Sequence, residues 1–117
     1  MLDLPELLQQ HCRHLDGPPM DEAAIADQLR ALPAWRHAGA ALVREYRFAD
    51  YYETLAFVNA LAFMIHREDH HPDLKLSYNR CEVRFNTHSV GGISVNDFIC
   101  AAKCDAVFAQ LYGTAAA

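Results

Sequence analysis

Two stretches near the middle of the chain, Leu74-Lys-Leu-Ser-Tyr78 and Cys81-Glu-Val-Arg-Phe-Asn-Thr-His88, alternate in polarity and are separated only by Asn79-Arg80. Alternation sends every second side chain to one face, so two such runs joined by a short connection predict an antiparallel β-hairpin. If Asn79-Arg80 is a two-residue turn, Tyr78 faces Cys81, and counting outward pairs Leu76 with Val83 and Leu74 with Phe85. The same count pairs Pro72 with Thr87 and His71 with His88. Arginine is a poor second turn residue where φ must be positive, and a longer loop would shift this register.

The hairpin is preceded by the longest helix, read over about residues 51–69, with Asp50 and Glu53 as its capping pair. Pro72 ends it and biases His71 towards extended backbone. One apolar row holds Tyr51, Leu55, Val58, Ala62 and Ile65, and a second holds Phe57, Leu61 and Met64. A surface helix needs one such stripe. This one is expected to be covered on a second side, by another copy of the chain.

Upstream, Asp21 to Leu32 reads as a helix stopped by Pro33, Trp35 to His37 as a short strand turned at Gly39, and Ala41 to Phe48 as a strand with Leu42, Tyr46 and Phe48 on one face. Downstream, Gly91-Gly92 breaks the chain, and Ser94-x-x-Asp97 is the capping signal of a last helix that ends near Gly113. Asp3 to about Leu15 suggests another helix, closed off by Asp16-Gly-Pro-Pro. Residues 1–19 are therefore drawn as an N-terminal extension, in which His11 and His14 are read as surface residues, and 20–117 as the domain. The order of elements gives an α+β fold with helices on one face of an antiparallel sheet.

Totals narrow the function. A chain of 117 residues with 52% hydrophobic and 21% charged residues describes one ordinary globular domain. Its net charge of −5 and scattered Lys and Arg argue against nucleic acid. No apolar run reaches the roughly 20 residues of a membrane span, and Met1–Gln10 lacks the pattern of a signal peptide, so a cytoplasmic location is expected. The four cysteines, Cys12, Cys81, Cys100 and Cys104, are read as buried thiols; Cys100 and Cys104, spaced i, i+4, could alternatively share a metal.

His66-Arg-Glu-Asp-His-His-Pro-Asp73 places three of the seven histidines within eight residues, and the hairpin count adds His88. Three readings stay open. His66 and His70, as i, i+4 neighbours on a helix end, could simply favour the helix dipole. With His71 and His88 they could bind zinc, although Arg67 stands where the zinc-protease signature needs Glu. Or imidazoles that titrate near neutrality could act as acid and base on a small substrate. No Ser or Cys nucleophile lies nearby in sequence and no phosphate loop is present, which favours addition–elimination over acyl or phosphoryl transfer.

The stretch H66-x3-H70-H71-P72-x5-Y78-x9-H88-x8-D97, continued by T-H-x-x-G-G-I-S-x-x-D, resembles the signature of the pterin-4a-carbinolamine dehydratases. The resemblance covers about residues 20–112. It implies a four-stranded antiparallel sheet with helices on one face, assembled as dimers or tetramers. It also implies removal of water from a 4a-hydroxytetrahydropterin to give the quinonoid dihydropterin, without metal or further cofactor, in the service of an aromatic amino acid hydroxylase. By position, His70, His71 and His88 would be the catalytic and pterin-binding histidines, with His70 and His88 acting at the 4a-hydroxyl and His71 holding the ring. Pro72, Thr87, Ser89 and Val90 would line the pocket, with His66 counted among the substrate-binding residues. His66 stands where better-known members carry a glutamate that supports the site. Asp97 matches the family aspartate but is also the third residue of a capping box, and Trp35 is read as core in a supporting role. Because relatives in animals also bind a dimeric transcription factor, a protein-binding module without catalysis is the alternative; it would have no need of all three histidines.

Overall fold

The computed structural model describes residues 1–113; the last four residues of the domain drawn as 20–117 lie outside the described residues. Its elements are α1 (Leu4–Gln9), α2 (Glu22–Leu29), β1 (Arg36–Ala38), β2 (Ala41–Arg47), α3 (Tyr51–Glu68), β3 (Asp73–Leu76), β4 (Arg80–Phe85), a 3-10 turn (His88–Val90) and α4 (Val95–Tyr112). The strands form one antiparallel sheet in the order β1-β2-β4-β3, with the helices packed on one face. This is the α+β architecture that the alternation and capping signals predict.

On β4 burial follows the pleat. In β4, Cys81, Val83 and Phe85 are buried beneath the helices while Glu82 and Arg84 face outward. On β2, Leu42, Arg44 and Tyr46 turn inward together. The one charged member, Arg44, meets Asp105 of α4 at 2.7 Å, and the same carboxylate oxygen accepts the Trp35 indole N–H at 3.0 Å and the Tyr46 hydroxyl. Burial, then the nearby Cys104 and Asp105, push the Tyr46 phenol far above its ordinary range, so it stays a donor. Trp35 thus belongs to the core, packed on Phe85 at a centroid separation of 6.0 Å.

The helix ends are where the capping residues place them. Asp50 accepts the Glu53 N–H at 2.9 Å, and Glu53 in turn accepts the Ala49 N–H at 2.9 Å. At the other end Asp69 takes the left-handed conformation (φ 51°) and closes α3 one residue before His70. Ser94 and Asp97 form the capping box of α4. α1 also carries its capping box, Asp3 with Glu6, but stops at Gln9 instead of running to Leu15. Residues 10–21 then cross the molecule in irregular conformation until Asp21 caps α2.

The hairpin forms with a corrected register. Leu76 pairs with Cys81 and Leu74 with Val83, two residues away from the count based on Asn79-Arg80. The loop is wider, closed by Ser77 N–H to the Arg80 carbonyl at 2.8 Å, and no residue in it adopts positive φ. That spares Arg80 the conformation it would resist. A shift of two preserves which face each side chain occupies. Pairing starts only at Asp73 opposite Arg84, so His71 and His88 are not cross-strand partners.

Helix burial also differs from the apolar count. Nine residues of α4 are buried, but only Thr54, Phe57, Leu61 and Glu68 of α3 are. The outer face of α3 leaves Phe63 82% and Tyr52 80% exposed.

Candidate active site

A cleft of about 540 Å³ opens where the C-terminal end of α3 meets the end of β4, a size that suits a small-molecule site. The turn after α3 supplies Asp69, His70, His71, Pro72 and Asp73. The exit of β4 and the 3-10 turn supply Asn86, Thr87, His88 and Ser89. Three histidines are therefore gathered by two chain breaks, the Asp69 cap with Pro72 on one side and the end of β4 on the other.

His70 is the most constrained of them. Its Nε2 lies 2.6 Å from Asp97 Oδ1, its ring stacks on Phe85 (9° between planes), and its side chain is 13% exposed. A carboxylate only accepts, so Nε2 carries the proton and Nδ1 is left as the acceptor. Asp97 is fully buried and its other oxygen accepts the Ser94 N–H at 2.9 Å and the Thr87 hydroxyl at 2.8 Å. Since the Thr87 proton goes to Asp97, the Ser94 hydroxyl donates to Thr87 Oγ1 at 2.7 Å and accepts the Asn96 N–H. Every donor in this chain has a place, and the direction of each bond is fixed by the one before it. One Asp97 oxygen therefore caps α4 while the other holds the His70 ring.

His71 and His88 are exposed at the cleft, His71 with Asp69 at 3.5 Å. Pro72, Thr87 and Ser89 line it. Val90 does not; as the last residue of the 3-10 turn it is buried. His66 lies on the exposed side of the last turn of α3, outside the cleft, and the helical H-x-x-x-H pair does not form because His70 lies beyond the helix cap. Trp35 sits among core aromatics and not at the cleft. Among the described residues no group of three or more His, Cys, Asp or Glu side chains is arranged to hold a metal ion, the Cys100 and Cys104 pair included.

Two contributors escaped the sequence reading. The segment Cys12–Leu15, read as the end of a helix in the N-terminal extension, forms a wall of the cleft. Glu68, also at the cleft, accepts the Cys12 N–H at 2.8 Å, Lys103 Nζ at 2.7 Å and His11 Nδ1–H at 2.9 Å. Burial alone would raise its pKa; the Lys103, Cys12 and His11 hydrogen bonds outweigh it and hold the carboxyl at about 2. One signal was available, because an anion in the last turn of a helix opposes the dipole and needs partners from elsewhere.

Comparison with known proteins gives this geometry a family. The model of a family described as pterin 4 alpha carbinolamine dehydratase matches residues 18–107. A protein of Xanthomonas axonopodis pv. citri (strain 306) named "Putative pterin-4-alpha-carbinolamine dehydratase" is 56% identical over 116 residues, covering 96% of this chain and 95% of its own. A relative of the same name from Nitrosospira multiformis is 45% identical over 107 residues, 90% of this chain and 95% of its own. The crystal structure of a transcriptional coactivator/pterin dehydratase from Brucella melitensis superimposes with a TM-score of 0.72 at 31% identity, over 76% of this chain and 97% of that one. The chain thus belongs to the pterin-4-alpha-carbinolamine dehydratase family.

Proposed function

We propose that this chain dehydrates 4a-hydroxytetrahydropterin to the quinonoid dihydropterin by histidine acid–base catalysis. The observation that carries the reading is the buried Asp97–His70 pair at a small-molecule cleft that His71 and His88 also line, in a chain of this family. In the reaction a ring N–H gives up its proton, the C4a–O bond breaks, and the hydroxyl leaves protonated as water while a C=N bond forms. Nδ1 of His70 is suited to take a proton, because Asp97 stabilises the imidazolium that results. His88 is suited to protonate the departing hydroxyl, and His71 to hold the ring at the nitrogen that is deprotonated. The pterin is substrate, and the scheme uses no metal or organic cofactor.

Physiologically the reading places the protein in the cytoplasm, recycling the pterin of an aromatic amino acid hydroxylase. The uncovered apolar side chains of α3, Phe63 and Tyr52 among them, support a homodimer or homotetramer. They equally support the second reading, a non-catalytic binding module of the same fold. Dehydration of freshly generated 4a-hydroxytetrahydropterin separates the two. Wild type should exceed the uncatalysed rate, and His70→Ala and His88→Ala should each lose about 10²-fold or more in kcat. A wild-type rate equal to the uncatalysed one sinks the enzyme, and activity stripped by chelators would sink the metal-free scheme.

A further inference from the structure

The strap Cys12–Leu15 has no helix or strand to hold it, yet its backbone is claimed by side chains from elsewhere. Glu68 accepts the Cys12 N–H at 2.8 Å. Asn96 accepts the Arg13 N–H at 3.3 Å and donates to the Arg13 carbonyl at 2.6 Å. Ser89 donates to the Leu15 carbonyl at 2.6 Å. Asn96 is 4% exposed and the Glu68 side chain 1%, so these groups have little water to turn to. The strap backbone supplies the partners of the Asn96 amide and the one partner of Glu68 Oε1, while Lys103 and His11 serve Oε2. The anchors are also placed beside the reacting residues. Glu68 lies two residues before His70, Ser89 follows His88, and Asn96 precedes Asp97. The strap is therefore indexed to the same frame that sets the histidines.

What the strap brings to the cleft is Arg13. It lines the cleft and enters none of the ion pairs among the described residues. A guanidinium offers five donors and no acceptor, so on a cleft wall it complements an acceptor oxygen. We propose that the strap is a fixed wall of the substrate pocket, that Arg13 determines specificity by donating to an oxygen of the bound pterin, and that Glu68 and Asn96 are its positioning residues. The inference rests on the pterin reading above. The 4a-hydroxyl aside, pterins offer such an oxygen in two places, the ring carbonyl and the hydroxyls of a ring substituent. The 7,8-dihydropterins, which lack the 4a-hydroxyl, offer these two alone.

The experiment uses the full chain with two substrates, one carrying a dihydroxypropyl substituent and one a methyl. Wild type, Arg13→Ala, Arg13→Lys and Glu68→Gln are compared in turnover, and in equilibrium dialysis against the corresponding unreactive 7,8-dihydropterins. Arg13→Ala should raise KM and Kd about tenfold, a loss of about 1.4 kcal/mol, with kcat within about twofold. Arg13→Lys should recover part of the loss, since it keeps the charge without the planar fork. Equal losses on both pterins assign the ring carbonyl; a loss confined to the dihydroxypropyl compound assigns the substituent. Glu68→Gln should raise KM in the same way and add little to Arg13→Ala in the double variant. Should Glu68→Gln fail to fold, Arg13→Ala on the exposed strap still decides. KM and Kd unchanged by Arg13→Ala on both pterins overturns the proposal. A wild type that binds dihydropterin through Arg13 yet does not dehydrate would remove the proposed function and leave this one standing. If neither dihydropterin binds and wild type does not exceed the uncatalysed rate, both fall.

Discussion

Asp97 shows how much one side chain can be asked to do. Its burial is tolerable because three donors reach it, the Ser94 amide, the Thr87 hydroxyl and the His70 ring, with the Ser94 hydroxyl in turn donating to Thr87 Oγ1. Asp97→Asn replaces one acceptor oxygen with a donor amide, so either the cap is lost or His70 must turn Nε2 into an acceptor and carry its proton on Nδ1. The expected result is a fall in kcat of about 10²-fold or more together with a measurable loss of stability, read by turnover and by urea unfolding of the same preparation. His66→Ala, outside the cleft on the exposed side of α3, should leave kcat/KM within about twofold. A larger change would bring His66 back into the pocket. The paired glycines before α4 differ in their reasons. Gly91 sits at φ 71°, whereas Gly92 is needed for space, since a Cβ there would lie 2.8 Å from Pro19 Cβ. Gly92→Ala should therefore cost about 1–3 kcal/mol, visible as a lower denaturation midpoint.

At the scale of elements, the ends of helices were more legible than their burial. Asp50, Pro72, Ser94 and Asp97 act through local hydrogen bonds and backbone geometry, which a short window of sequence contains. Asp50→Ala should consequently cost about 1 kcal/mol of stability, measured as a shift in urea midpoint at constant slope. The alternation of Leu74, Leu76, Cys81 and Val83 gave the correct faces because parity survives a slip of two. The register itself depended on the loop, and the φ penalty at Arg80 widened it. The hairpin count brought His88 towards His71 by a register that does not form, and it is the Asp69 cap and the end of β4 that bring His70, His71 and His88 to one cleft. Nothing periodic marks the strap. Its conformation is set by Glu68, Asn96 and Ser89, residues 56, 83 and 74 positions away from the groups they hold.

Across the whole molecule, those long-range bonds tie the first fifteen residues to the end of α3 and the start of α4. Glu68 has its carboxyl lowered from the model-peptide value of 4.5 to about 2. A depressed carboxyl contributes stability that is full above about 4.5 and lost as pH falls towards 2. The shift corresponds to on the order of 3 kcal/mol. Unfolding midpoints of wild type and Glu68→Gln should therefore be well separated at pH 6 and converge near pH 2; a constant gap would refute the assignment. The joint role of Asp97 has a consequence for heat. Because a single carboxylate both starts α4 and steers His70, the first turn of that helix works as a fuse. Warming that loosens it should silence the chemistry while the sheet is still intact, so turnover should fade at a lower temperature than the far-UV signal.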